Sequence, residues 1–596
     1  MDHFGICNSW ISTISLALYA RLTRKVVYIS PQSRAWVPGF LARHVRTFEN
    51  DRWREYLNIH EIDQRIIHEP RSGHYSLVEK GLVRLLAAHW GTLRMENVFL
   101  RAGADLHLAF IRDALASPGR ETPFLYVIPN LLLWRRLAER ELPPNQVRIS
   151  FLLTLCFLAA TAVYGFRSWL RYFRFRPTVE RRRRWRLMQV ISLGFTSLHH
   201  NDATLMERMG LSPEEMAFLS VKPGGNNSEH CSWIRDHGLT ALDLYDSRFN
   251  IASAVFFRFL VGHLLLGPFH GLLFLLLAPS QAGYYAAFLT SLFPCLRLFS
   301  RNATPFVVGG ATDETRGLQL PISGELCGTR TLIIGENDTG LKTDYCLSFT
   351  AHHVYFLWGR RLGENYLRQG RADEIYGVGC PRSNSYPRRP REETIQALGF
   401  DPSRPIVIFF DNEGRDPFGL SRFSSSQAES FYRATAAYAR DNPDVQVIMK
   451  PKRIRTLEPY RHLIDPWVRC FTSDKIWYGD LVEMADVTVG MGTTNVTQIA
   501  LYMGATVVIF DESGCRTPVF EPYEGTLVVR DAPALFRRLD GIIRQGQGMP
   551  EIPELEWLNV KGADPFALVG QYVREGRLDA NYRIPFSGPG SGLFNP

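Results

Sequence analysis

Several features are missing from this 596-residue chain, and each absence narrows what the protein can be. The nine cysteines (Cys7, Cys156, Cys231, Cys295, Cys327, Cys346, Cys380, Cys470, Cys515) form no CxxC pair, and their number is odd. Such a dispersed set fits reduced thiols in a cytosolic compartment. Neither zinc-finger spacing nor an aromatic-basic motif of the RNA-recognition type occurs, so nucleic acid is not an expected partner. The opening MDHFGICNSW has no basic n-region, so a secretory signal is not expected. No repeat of solenoid period is present. Charge is missing from two long stretches, Ile149–Phe166 and Phe259–Leu296.

What remains is an ordinary globular mix, 45% hydrophobic and 21% charged, long enough for two domains or more. The formal net charge of +9 suits an anionic membrane or phosphorylated substrates once nucleic acid is set aside. Residues 1–148 alternate helix and strand. SWISTISLALYARLTRKVVYIS reads as a helix and then a strand ending near Ser30, and TPFLYVIPN reads as a second strand. Ile149–Phe166 is just long enough for a membrane helix. It runs into RSWLRYFRFRPTVERRRRWR, where arginines alternate with Trp169, Tyr172, Phe173, Phe175 and Trp185. That make-up predicts a segment lying on an anionic bilayer. Phe259–Leu296 is broken by Pro268, Pro279 and Pro294. It reads as short membrane helices, a re-entrant hairpin or in-plane helices. Keeping the arginines and both soluble flanks on one side predicts segments that dip in without crossing.

From Pro305 the α/β pattern is clear. In the last third, polar loops follow buried β runs, where α/β sheets bind ligands. IVIFF is followed by DNEGRDP, with Asp411 and Arg415. VQVIM is followed by KPKR, where Lys450, Lys452 and Arg453 can neutralise phosphates. VTVG is followed by MGTTN. There Gly490 and Gly492 permit close backbone approach, and Thr493 or Thr494 can cap a helix starting near Asn495. A helix N-terminus favours phosphate.

The segments HHVYFLWG, GVGCPRSN, KPK and MADVTVGMGTTNVTQIALYMGATVVIFDE, in that order, resemble the bacterial GT-B glycosyltransferases of the cell-surface polysaccharide group. That group includes Kdo transferases and CDP-glycerol glycerophosphotransferases. A more distant likeness is to polysaccharide-biosynthesis proteins with a Pro-Phe-Thr-Ser motif. The resemblance runs from Thr304 to about Arg530. It implies an α/β, GT-B-like fold of two Rossmann-like domains facing a cleft, to which the charge-free stretches add an apolar membrane-associating helical insert in the N-terminal half. The boundaries so read are 1–148 (N-terminal α/β region), 149–300 (insert), 301–390 (completion of the first Rossmann-like domain), 391–540 (donor-nucleotide domain) and 541–596 (C-terminal helix and tail).

The resemblance further implies transfer of a sugar from a nucleotide-sugar donor to a lipid-linked or saccharide acceptor, with no metal or other cofactor. Together with the one-sided topology read above, this leads to the expectation of a protein on the cytoplasmic face of a bacterial inner membrane, monotopic or peripheral. Arg415, Lys450, Lys452, Arg453, Gly492, Thr493, Thr494, Asn495 and Gln498 are the implied donor-binding residues. Gln498 departs from the group, which often carries a ribose-binding glutamate there. GEND (Gly335–Asp338) departs from its His-Gly turn, so no histidine base is available at that point. Candidate acid-base residues are Glu336, Asp338, Asp313 and His230. A glycerol- or ribitol-phosphate transferase, a UDP-sugar 2-epimerase-like isomerase and a non-catalytic membrane-surface protein stay open as alternatives.

Overall fold

The computed structural model describes residues 3–5, 10–29, 37–47, 124–126, 147–149, 176–178, 183–190, 206–220, 234–236, 238–244, 248–250, 252–254, 269–273, 292–309, 319–335, 352–360, 372–412, 425–452, 457–464, 466–472, 476–512 and 518–585, with a few further positions between 34 and 261. Among these residues there are three larger parallel sheets, one more than the two-domain reading expects.

The first sheet is N-terminal. It joins β1 (His3–Gly5), β2 (Val27–Ile29), β3 (Val45–Thr47), β4 (Phe124–Tyr126) and β5 (Val147–Ile149) in the order β3-β2-β1-β4-β5. The helix α1 (Trp10–Thr23) follows β1 and buries Leu16, Ala17 and Ala20 against Val27 and Ile29. The described strands of this region therefore do not join the sheet that contains residues 301–390. They pair among themselves, because each short strand finds a parallel partner within this region.

Next along the chain come β6 (Arg176–Thr178), β7 (Arg183–Arg184), β8 (Leu187–Val190), β9 (Met216–Ser220), β10 (Thr240–Asp243), β11 (Arg248–Asn250), β12 (Asn302–Ala303), β13 (Phe306–Gly309), β14 (Arg330–Ile334), β15 (Val354–Leu357) and β16 (Glu374–Gly377). Seven of them form the second sheet, in the order β10-β9-β8-β13-β14-β15-β16. Its strands β8, β9 and β10 lie inside 149–300, the stretch read as an insert. They are only four or five residues long, too short to stand out beside the arginines and apolar runs around them. The remaining strands make two short parallel pairs, β6 with β11 and β7 with β12. Where described, then, the arginine-rich segment is extended and strand-paired. No helix among the described residues is long and apolar enough to cross a membrane.

The third sheet joins β17 (Ile406–Phe410), β18 (Gln446–Lys450), β19 (Arg469–Cys470), β20 (Val487–Met491), β21 (Val507–Phe510) and β22 (Val528–Val529) in the order β19-β18-β17-β20-β21-β22. These strands are unbroken apolar runs because both faces are covered, as parallel sheets require. One face packs α2 (Ser425–Asp441) and α4 (Ala532–Gln545) through Phe431, Leu535 and Leu539. The other packs α3 (Asn495–Tyr502).

The second and third sheets share one apolar core. Ile333, Leu357 and Trp358 pack with Ile408, Phe410 and Ile499, and the Trp358 ring stands edge-on to Tyr502 at 5.9 Å. The chain then returns. After the third sheet, α5 (Pro565–Glu575) lies against the second sheet. Its Tyr572 is fully buried between Phe306, Phe356 and Tyr376, with ring centroids 5.5 to 5.9 Å apart. Arg330 Nη1 donates to the Tyr572 hydroxyl at 2.7 Å, which donates to Glu374 Oε1 at 3.0 Å, and Arg330 Nη2 lies 2.6 Å from the same carboxylate oxygen. Gly570 lets α5 lie against the short helix Met206–Met209, since a Cβ there would strike the Met209 carbonyl.

Candidate functional site

All strands of the third sheet are parallel, so their carboxyl ends and the loops that follow share one edge. Phe410 pairs with Lys450 on one side and with Gly490 on the other, and Met491 pairs with Phe510. The KPKR and MGTTN loops therefore leave from one level. Two strand spacings put Lys450 and Gly490 about 10 Å apart. Alternation along the strands sends Lys450 to the same face as Ile448 and Phe410, the face that α3 covers.

The bare glycines of MGTTN have separate reasons. A Cβ on Gly490 would run into the Thr497 methyl group, so glycine lets α3 sit directly on β20. Gly492 has φ +67°, the left-handed region that favours glycine, and its N–H donates to the Phe510 carbonyl at 2.7 Å. The turn places Thr494 as the helix cap. Thr494 N–H donates to Thr497 Oγ1 at 2.8 Å, and Thr497 N–H donates back to Thr494 Oγ1 at 3.3 Å. The positive end of the α3 dipole thus opens on the same edge as Lys450.

One turn into α3 stands Gln498, 0% exposed. Neither its Oε1 nor its Nε2 has a hydrogen-bond partner among the described residues. A buried amide offers two donors and an acceptor oxygen. Leaving such groups unmatched costs about 1–3 kcal/mol or more. Thr488 Oγ1, also fully buried, is unmatched in the same way. Groups of this kind are what the hydroxyls or ring edge of a bound nucleoside would satisfy.

The rest of the edge is tightly partnered. Asp411, buried at the end of β17, accepts from the Tyr432 hydroxyl at 2.5 Å and from the backbone N–H of Lys452. The carboxylate thereby fixes the turn that carries both lysines. Burial, and then the charge of Asp411, push the Tyr432 hydroxyl far above its usual range. At the end of β21, buried Asp511 pairs with Arg530 at 3.3 Å, and Glu512 accepts from Ser430 at 2.6 Å.

Of the residues singled out in the sequence, Lys450, Lys452, Gly492, Thr493, Thr494, Asn495 and Gln498 are brought to this edge. Arg415 and Arg453 lie outside the described residues, as do Glu336, Asp338, Asp313 and His230. Connectivity relates the last four all the same. Asp313 follows β13, Glu336 and Asp338 follow β14, and His230 follows β9, all strands of the second sheet. Glu336 comes directly after Gly335, whose carbonyl accepts the Trp358 indole N–H. No group of His, Cys, Asp or Glu side chains among the described residues is placed to hold a metal ion.

GVGCPRSN bonds to the segment that follows the third sheet. Cys380 N–H donates to Asn559 at 2.7 Å, Asn384 donates to the Val560 and Ala563 carbonyls at 2.8 and 2.9 Å, and Ser385 donates to Asp564 at 2.8 Å. The motif docks the returning C-terminal segment. Sequence reasoning passed over Thr488 and the Asp511–Arg530 pair. A threonine inside an otherwise apolar strand, and an acid directly after VVIF, were the available signals.

No protein-family model matches the chain, and no curated protein matches it. Solved structures do. UDP-GlcNAc 2-epimerase from Neisseria meningitidis, bound to UDP-GlcNAc, has 9% identity and a TM-score of 0.38, covering 65% of this chain and 98% of that one. The wall teichoic acid polymerase TagF has 9% identity and a TM-score of 0.38, covering 70% and 98%. MurG from Acinetobacter baumannii has 11% identity and a TM-score of 0.32, covering 66% and 99%. These neighbours are GT-B-like folds. At such identities and scores, the reading of this chain rests on its own parallel sheets and the edge described above.

Proposed function

We propose that the protein is a GT-B-type glycosyltransferase that moves a sugar from a nucleotide-sugar donor to a lipid-linked or polysaccharide acceptor in surface-polysaccharide synthesis. It works at the cytoplasmic face of a bacterial inner membrane, held there as a monotopic or peripheral protein. The observation that carries this reading is Gln498, an orphaned buried amide in the first turn of α3, whose capped N-terminus opens on the same sheet edge as Lys450. The nucleoside sits against Gln498, and the donor phosphates lie between Lys450, Lys452 and the start of α3. As the bond between the anomeric carbon and the phosphate oxygen breaks, the nucleotide leaves with the electron pair. The lysines and the helix dipole stabilise the charge that develops. The acceptor oxygen bonds to the anomeric carbon, and its proton passes to a base from the loops after β9, β13 or β14. His230, Asp313, Glu336 and Asp338 are the candidates. The reaction so written draws on no metal or other cofactor.

The test is a thermal-shift panel of CMP, CDP, UDP and GDP and their sugars on the full chain, followed by mass spectrometry of the products. One nucleotide is expected to stabilise the protein by about 2.7 kcal/mol at a hundredfold excess over its Kd. Sugar transfer is expected only when an acceptor extract is present. If no nucleotide shifts the unfolding, the donor assignment fails. Conversion of the sugar nucleotide without acceptor would mean an isomerase, and a product heavier by a phosphopolyol would mean a glycerol- or ribitol-phosphate transferase.

A further inference from the structure

The chain lays down the second and third sheets in the same way. In the third it starts at β17, adds β18 and β19 on one side, and then crosses to β20 on the other. In the second it starts at β8, adds β9 and β10 on one side, and then crosses to β13. Strand order therefore reverses between β17 and β20, and again between β8 and β13. Parallel sheets bind ligands in the crevice at the carboxyl ends of the strands where the order reverses.

Buried amides with an unmatched atom mark both places. Among the described residues these are Gln498, Gln189 and Gln319. Gln498 stands in α3, the helix after β20. The other two flank the reversal in the second sheet. Gln189, 4% exposed, is the next-to-last residue of β8 and pairs with Val308 of β13. Gln319, 7% exposed, opens the helix Gln319–Cys327, the next described element after β13. Pro321 suits the first turn of that helix, where backbone N–H groups have no intrahelical partner.

The two amides belong to opposite faces of the sheet. Gln189 shares its face with Leu187, which packs with Met209 of the short helix that follows β8. The helix Gln319–Cys327 packs through Leu320 on the other face, with Met188 and Val307. The helices after β8 and β13 thus diverge, as the crevice requires. In both amides the unmatched atom is the carbonyl oxygen, which only a hydrogen-bond donor can satisfy. An ionised phosphate offers acceptors alone, whereas a sugar offers hydroxyl donors. The strands end here in Val190, Ser220 and Gly309, none of them charged. The edge of the third sheet, by contrast, presents Lys450, Lys452 and a helix N-terminus.

We propose that the crevice between β8 and β13 is the acceptor subsite, and that it binds the hydroxyls of a saccharide rather than a lipid phosphate. This rests on the transferase reading above and adds the residues that hold the acceptor. Gln189 and Gln319 each accept a hydrogen bond from a sugar hydroxyl. The sugar is thereby held at the strand ends from which the loops proposed to carry the base depart.

Saturation-transfer NMR of the full chain with the methyl glycosides of glucose, galactose, N-acetylglucosamine and rhamnose tests this. At least one glycoside is expected to bind, and inorganic phosphate is expected not to displace it. Methionine has an unbranched stem like that of glutamine and no amide. Gln189→Met and Gln319→Met are each expected to weaken the binding about fivefold. Their unfolding temperatures without ligand are expected to stay at or above the wild-type value, since no hydrogen bond within the chain is lost. Binding that is absent, that phosphate displaces, or that either variant retains in full overturns the subsite. A lower unfolding temperature in either variant would show that the amide is satisfied within the fold, and overturns it too. Nucleotide-induced thermal shifts on the same samples report on the donor site. Their absence beside intact glycoside binding removes the donor reading alone, and the reverse removes the acceptor subsite alone.

Discussion

Two clusters of buried polar groups differ in one respect. Around Tyr572, at the amino ends of β14 and β16, each hydroxyl, guanidinium and carboxylate has its partner within the chain: Arg330, Glu374, Tyr376 and Tyr572 bind one another. Around α3, the side chains of Gln498 and Thr488 are fully buried, more deeply than the half-buried Arg330 and Glu374, and have no partner among the described residues. A satisfied network holds elements together. An unsatisfied one weakens the fold unless something outside the chain completes it. The first cluster clasps the C-terminal helix to the second sheet, and the second is where the proposed donor would bind.

The comparison can be sharpened at Tyr572 first. Tyr572→Ala empties a fully buried site ringed by three aromatic side chains, and a loss of about 3–5 kcal/mol is expected in chemical denaturation. A loss below about 1 kcal/mol would show that α5 does not clasp the sheet. Gly490→Ala comes next. The added methyl group presses on Thr497 and lifts α3 from β20, so about 1–3 kcal/mol of stability is expected to go, together with the nucleotide-induced shift.

The smallest effect concerns pH. Burial opposes the charge on Glu374, but hydrogen bonds from Tyr376, Arg330 and Tyr572 lower its pKa below the ordinary 4.5. A depressed carboxyl stabilises the fold fully above its unfolded value and loses that contribution as pH falls through the folded one. The unfolding temperature of Glu374→Gln is therefore expected to fall less steeply below about pH 4.5 than that of the wild type. Parallel acid profiles would remove the carboxylate from the clasp.

The third sheet was legible in the sequence because IVIFF, VQVIMK, VTVGM and VVIF are continuous apolar runs bounded by polar loops. That Lys450, Lys452 and the MGTTN loop share one sheet edge was legible for the same reason, since each sits at the end of such a run. Sheet membership was not. β8, β9 and β10 are four or five residues long, and β10 (TALD) is only half-buried along its length. Their assignment depends on pairing with β13, far along the chain. That residues 1–148 close on their own sheet is likewise a matter of long-range pairing. GVGCPRSN kept its place in the order of motifs, but its partners, Asn559 to Asp564, lie beyond the stretch the resemblance covers. Gln498 was legible as a departure from the family pattern. Its isolation from every hydrogen-bond partner among the described residues took the packing of α3 to see.

Gln498→Leu tests the ligand assignment most directly. Leucine is one non-hydrogen atom smaller than glutamine but leaves no polar group unpaired, so the nucleotide-free protein is expected to keep or gain stability while the nucleotide-induced shift disappears. Lower stability without nucleotide, with the nucleotide shift retained, would contradict the assignment and return Gln498 to the core.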